Sequence, residues 1–245
     1  VTQVRRLRAW QLATVGFLLG LLLFVPLTAW SAREYRDPAL NLLNSGAGLS
    51  ALIAVGATRV LIVSGDDPSS FENAFNQARP DLLRRIDLVI LTPSATESLV
   101  DRAVAVANPR RLYALPHQRF QNGNNVAGHT VRPMDGDATI TLENVMRLEI
   151  DSGFGRGWSM TLNINDVTVQ LSERISPSTG RDAAFVVVMG DEIGPSVRSA
   201  RIPVVGAIDS AAIELSETAK QQVLLIEQHA FRRILLGQPL IPIQR

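Results

Sequence analysis

The sequence predicts an α/β sandwich held behind one membrane-spanning helix. Three observations point there: an uncharged apolar segment at 9–32, aliphatic runs alternating with helical periodicity between residues 60 and 115, and closely spaced strand-like runs from 131 onward. The chain has 245 residues, with 46% hydrophobic and 19% charged side chains. Setting the anchor aside leaves about 210 residues, enough for one domain with a sizeable core.

The segment from Ala9 to Ala32 contains no charged residue. As an α-helix rising ~1.5 Å per residue, the stretch from Trp10 to Trp30 would cover about 30 Å, the thickness of a hydrocarbon core. Trp10 and Trp30 stand where an indole can bury its ring and keep its N–H in water. Pro26 is tolerated in a membrane helix, and Gly16 and Gly20 form a GxxxG face for close helix packing. Arg5, Arg6 and Arg8 precede the span, whereas Arg33, Glu34, Arg36 and Asp37 after it cancel. The positive-inside rule then places the N-terminus in the cytoplasm and the remainder outside the cell membrane. A cleaved signal peptide is the alternative, with small residues at Ala29 and Ser31, but the apolar run exceeds the usual h-region of about 7–15 residues. The expected order is a cytoplasmic N-terminus at 1–8, a transmembrane helix at 9–32, a linker at 33–39, a folded domain at 40–230 and a C-terminal strand or extended arm at 231–245.

Composition narrows the function classes. The net charge of +1 gives no strong field toward nucleic acid, and no nucleic-acid partner is expected. Cysteine is absent, which excludes disulfides, thiolate metal sites and a cysteine nucleophile.

Beyond the linker, Leu40–Leu43, Leu49–Val55 and Val60–Val63 are short aliphatic runs separated by Gly-containing turns, and read as strands. The spacing of Phe71, Ala74, Phe75 and Ala78 predicts a helix over 71–78 with Ser70 as its N-cap. Leu88–Leu91 is a doubly buried strand, and Ser94 to Val106 a helix opened by a capping-box-like Ser94-Ala-Thr-Glu97 and stopped at Asn108-Pro109. Arg111–Leu115 follows as a strand, so the middle reads strand, helix, strand, helix, strand. The second half is richer in strands: Val131–Met134, Ala138–Leu142, Val145–Ile150, Ser159–Ile164, Val167–Ser172, Ala183–Met189, Ile202–Val205 and Val223–Ile226. Asn165-Asp166 makes a two-residue hairpin turn and Asp209–Ala219 a helix. Gln118–Gly128 is read as a long polar loop.

This order resembles the metallo-β-lactamase fold, an αββα sandwich, and within it the extracytoplasmic hydrolase-like domain of bacterial DNA-uptake (competence) channel proteins. The resemblance rests on Leu40–Gly48, Arg59–Gly65, Asp87–Thr92, Trp158–Ser172 and Ala183–Asp191. It implies a metal loop directly after Thr92, of pattern His-x-His-x-Asp-His. Here those four positions hold Pro93, Ala95, Glu97 and Ser98. Later ligand positions fall near Arg174 and Met189–Asp191, again without histidine, and His117, His129 and His229 match none of the motif. The resemblance therefore implies a degenerate, catalytically inactive domain with no metal and no cofactor. As a single-pass protein it would meet the lipid bilayer and other membrane protein subunits, as a structural or accessory part of a larger complex. The alternatives are an extracytoplasmic ectodomain that binds or senses DNA or a cell-wall polymer, and a hydrolase with a relocated site.

Other polar features have plainer readings. Asp66-Asp67, Asp135/Asp137 and Asp191/Glu192 read as turn residues and helix caps, with calcium as the alternative. Ser64, Ser176 and Ser178 sit in no G-x-S-x-G elbow. Gly153–Gly157 reads as a surface loop.

Overall fold

The computed structural model describes residues 38–78, 85–116, 124–134, 137–142, 146–153, 157–164, 167–173, 185–189, 204–207, 223–226 and 231–235. All belong to one compact unit, Pro38–Arg245. The apolar segment 9–32, with Trp10, Gly16, Gly20, Pro26 and Trp30, lies outside the described residues, as do residues 1–8 and 33–37. Among the described residues no helix is long and apolar enough to cross a membrane.

The aliphatic runs at 39–63 form a meander: β1 (Ala39–Asn44), β2 (Leu49–Val55) and β3 (Thr58–Val63), antiparallel in sequence. Two crossovers follow. α1 (Pro68–Ala78) leads to β4 (Leu88–Leu91), and α2 (Glu97–Ala107) leads to β5 (Arg111–Ala114), with β3, β4 and β5 parallel. Parallel neighbours need such crossovers, and helices are the usual means. After β6 (Asn125–Val126) and β7 (His129–Thr130), β8 (Arg132–Pro133) joins beside β5, and β16 (Phe231–Leu235) lies antiparallel to β1. The first sheet thus runs β16-β1-β2-β3-β4-β5-β8.

The second sheet runs β15-β14-β13-β12-β11-β10-β9. Its antiparallel part comprises β9 (Ala138–Leu142), β10 (Met146–Gly153), β11 (Gly157–Ile164) and β12 (Val167–Ser172). β13 (Phe185–Val188), β14 (Val204–Ala207) and β15 (Val223–Ile226) continue it in parallel.

Alternation along the strands makes two core layers. One face of the first sheet, including Leu40, Leu42, Ile53, Val60, Ile62 and Ile90, packs against Leu148, Met160, Leu162, Val169 and Leu171 of the second. The other face, including Leu61, Val63, Val89 and Leu91, packs under Phe71 and Phe75 of α1 and Leu99, Ala103 and Val104 of α2. The strands β1–β4 of the first sheet are therefore buried on both faces, which explains why β3 and β4 read as continuous aliphatic runs. The result is a mixed α/β sandwich that shows, among the described residues, three layers of the expected αββα order: helices, sheet, sheet. The helix expected at Asp209–Ala219 lies outside the described residues.

Several local expectations are corrected. α1 starts at Pro68, and its cap is Asp67 rather than Ser70: Asp67 Oδ1 accepts from the Ser69 N–H (2.8 Å) and the Ser70 N–H (3.2 Å). Proline is favoured as a first helical residue because its missing N–H would have no intrahelical partner anyway. The Ser94 capping box does not form. α2 begins at Glu97 behind Thr96, whose side chain makes no capping bond, and it ends on Asn108 at φ 43°. Part of the polar loop at 118–128 becomes a small β6–β7 hairpin, because Ala127 (φ 46°) and Gly128 (φ +83°) form a tight two-residue turn. The strand expected at 131–134 is reduced to the two residues of β8. β11 and β12 pair Ile164 with Val167, and the turn residues Asn165-Asp166 lie outside the described residues.

Because Asp67 and not Thr96 makes a side-chain cap, the two substitutions should differ. Asp67→Ala should lower stability by about 1 kcal/mol, and Thr96→Ala by less than about 0.5 kcal/mol. Urea denaturation of the two variants beside the wild type checks this.

Candidate functional site

The two sheets meet along one rim. There the chain leaves β1, β3 and β4, enters β2, and, across the sandwich, leaves β12 and β13. In a parallel α/β arrangement the loops at the carboxyl ends of the strands converge on such a rim, and ligand sites are found there.

The side chains gathered at this rim are small and polar. Ser45, Ser50, Ser64 and Thr92 are all buried. The Ser64 hydroxyl lies 2.8 Å from that of Ser94, which is 3.0 Å from that of Thr92. The Thr92 hydroxyl donates back to the Val63 carbonyl (2.8 Å). Ser50 donates to the Ser64 carbonyl (2.9 Å) and its oxygen accepts the Ser64 N–H (3.1 Å). Ser45 also donates to the Ser64 carbonyl. Met189, just past β13, supplies the link across the sandwich. Its carbonyl accepts both the Ser64 hydroxyl (2.9 Å) and the Leu49 N–H (3.0 Å), while its own N–H donates to the Ser172 carbonyl (2.8 Å).

The backbone is tight at the same place. Gly65 has φ +106°, and a Cβ there would lie 2.3 Å from the Ser45 carbonyl oxygen. That carbonyl accepts the N–H groups of Asp66 (2.9 Å) and Asp67 (3.0 Å). At Gly48 a Cβ would lie 2.7 Å from the Met189 carbonyl oxygen. Both glycines are needed for close approach of main chain to main chain.

The positions matched to the metal loop do not converge. Pro93 is half-buried, and Ala95 is buried in the layer beneath the helices. Glu97 and Ser98 are exposed in the first turn of α2. Met189 belongs to the rim, but Arg174, Gly190 and Asp191 lie outside the described residues, together with His117, His229, Ser176 and Ser178. His129 sits on the β6–β7 hairpin. Asp66 and Asp67 serve the local fold: Asp66 Oδ1 accepts the Ala47 N–H (2.8 Å), and Asp67 caps α1. Asp137 immediately precedes β9, and Asp135 lies outside the described residues. Gly153 pairs with Gly157 across β10 and β11, and residues 154–156 of the expected surface loop lie outside the described residues.

The zinc that the metallo-β-lactamase resemblance implies would need about three His, Cys or carboxylate donors and an open position. The described rim does not fit it. Pro93 and Ala95 carry no donor atom, and the hydroxyls of Ser64, Thr92 and Ser94 bond to one another and to carbonyls. Among the described residues no three His, Asp or Glu side chains gather. Among the described residues the Ser64 and Ser94 hydroxyls have as partners only other hydroxyls and the Met189 carbonyl, none of them a base that would activate a nucleophile.

The hydroxyl cluster is the feature that sequence reasoning misses. The available signal is a small polar residue directly after each aliphatic run, as in Leu-Ile-Val-Ser64 and Val-Ile-Leu-Thr92.

No protein-family model matches the chain, and no curated protein matches it. Solved structures similar to it are proteins of the metallo-β-lactamase fold. Zn(2+)-bound PqqB from Methylobacterium extorquens has a TM-score of 0.45 at 11% identity, covering 62% of this chain and 70% of that one. Rm3 metallo-β-lactamase has a TM-score of 0.44 at 8% identity, covering 67% and 79%. The metallo-β-lactamase MIM-1 from Novosphingobium pentaromativorans has a TM-score of 0.42 at 14% identity, covering 67% and 79%. The architecture itself is defined by the chain's own sheet orders and core layers.

Gly65→Ala should be severe, since it combines a strained φ with a main-chain clash. A loss of at least about 3 kcal/mol in urea denaturation, or failure to accumulate folded protein, is expected; wild-type stability would contradict the close approach at Ser45.

Proposed function

We propose that this chain is a membrane-anchored, catalytically inactive protein of metallo-β-lactamase-like fold, acting as a structural or accessory subunit of a larger membrane complex. The observation that carries the reading is the chemistry of the rim. Where a hydrolase of this architecture needs metal donors or an activated nucleophile, the described residues are neutral hydroxyls bonded to each other and to carbonyls. The side chains of Pro93 and Ala95, at the first two positions matched to the metal loop, have no lone pair to offer. The uncharged segment 9–32 supports an anchor beside the bilayer, with the domain on the extracytoplasmic side.

The full chain, extracted from its native membranes in mild detergent, should co-purify at fixed stoichiometry with other membrane subunits. Recovery only as a free monomer, or hydrolytic activity abolished by a chelator, would contradict the reading.

A further inference from the structure

The rim hydroxyls are chained in a way that simple turn chemistry does not require. Turns at the ends of β1 and β3 need only glycine and local N–H partners. Here Ser64 instead reaches a carbonyl 125 positions away, and Ser94, 30 positions away, bonds to Ser64. The Met189 carbonyl takes two donors from the first sheet, Leu49 N–H and Ser64 Oγ, while its own N–H stays with the second sheet at Ser172. The two backbone polar groups of Met189 are therefore divided between the two sheets. The Gly48 backbone approaches the same carbonyl so closely that a Cβ would touch it at 2.7 Å.

We infer that this Ser/Thr cluster is a closed lock: it joins the two sheets at the rim through the Met189 carbonyl, and its neutral hydroxyls fill the place in which a metal centre of this architecture would sit. The described side chains of the rim thus offer a metal ion no ligand set. Each hydroxyl that donates inward keeps a neighbour's carbonyl or hydroxyl satisfied in a dry setting, where loss of one partner is costly. Ser64 is the centre, since its N–H, hydroxyl and carbonyl are all engaged in the cluster. Ser94 is peripheral: half-buried, and bonded only to other hydroxyls. The inference deepens the reading of a non-catalytic rim and rests on it only for the comparison with a metal centre.

The test is native-state hydrogen exchange on the full chain in detergent, for wild type, Ser64→Ala and Ser94→Ala. In Ser64→Ala the amides of Leu49 and Ser64 should exchange at least about tenfold faster, a larger rise than at Leu162 and Val169 within the β11–β12 pair, where exchange follows only the loss of global stability. The melting temperature should fall by roughly 3–8 °C. Ser94→Ala should speed exchange at Ser64 and Leu49 in the same sense but less. If Ser64→Ala does not fold, Ser94→Ala decides alone: faster exchange at those two amides supports the lock, and wild-type exchange overturns it. A uniform rise across both sheets also overturns it, since that is general destabilisation. Zinc or a chelator should leave wild-type melting unchanged; a shift with either overturns the closed lock even if exchange behaves as expected. Failure of the accessory-subunit reading would instead appear in co-purification and leave the exchange pattern intact.

Discussion

One main-chain carbonyl joins the two sheets at the rim. Met189 O holds the Leu49 N–H and the Ser64 hydroxyl of the first sheet, while Met189 N–H holds the second sheet at Ser172. Sheet-on-sheet packing is apolar and largely non-directional, so it resists separation more strongly than it specifies register. A directional contact at one rim supplies that missing constraint. The strand ends that carry Gly48, Gly65 and Ser94 are placed with respect to this point.

The chemistry of the rim follows from the same choice. Hydroxyls and carbonyls can satisfy one another without charge, so the cluster can be buried without the desolvation cost that carboxylates would bring. The consequence is a strand-end region with the position of a ligand site whose described side chains are neutral hydroxyls. Nearby carboxylates serve other ends. Asp66 and Asp67 hold a turn and a helix start, and Glu72 on α1 pairs with Arg102 on α2 at the surface.

Much of the fold was legible in the residues. The alternation β3-α1-β4-α2-β5 follows from two doubly apolar strands and two helices with clear periodicity, because local pattern and burial agree there. The meander at 39–63 was legible for the same reason. Local sequence misplaces the helix starts where side chains have other partners. Ser94 looks like the first residue of a capping box, but its hydroxyl is taken by Ser64 and Thr92, and the helix begins three residues later. Ser70 looks like a cap, but Asp67 is better placed before Pro68. The hydroxyl cluster itself was not legible, because its members come from four separate chain segments and serine at a strand end is ordinary turn composition. Only the sheet topology brings residues 45, 64, 94 and 189 together.

The central claim is that neutral hydroxyls, not a metal, occupy this rim. It is tested most directly by diffraction at the zinc absorption edge from crystals of the full chain grown with excess zinc. The account predicts no anomalous peak within bonding distance of the Ser64, Thr92 or Ser94 hydroxyls, and a Ser64–Ser94 separation that stays near 2.8 Å. An ordered zinc held there by side chains, with those hydroxyls drawn apart, would contradict it.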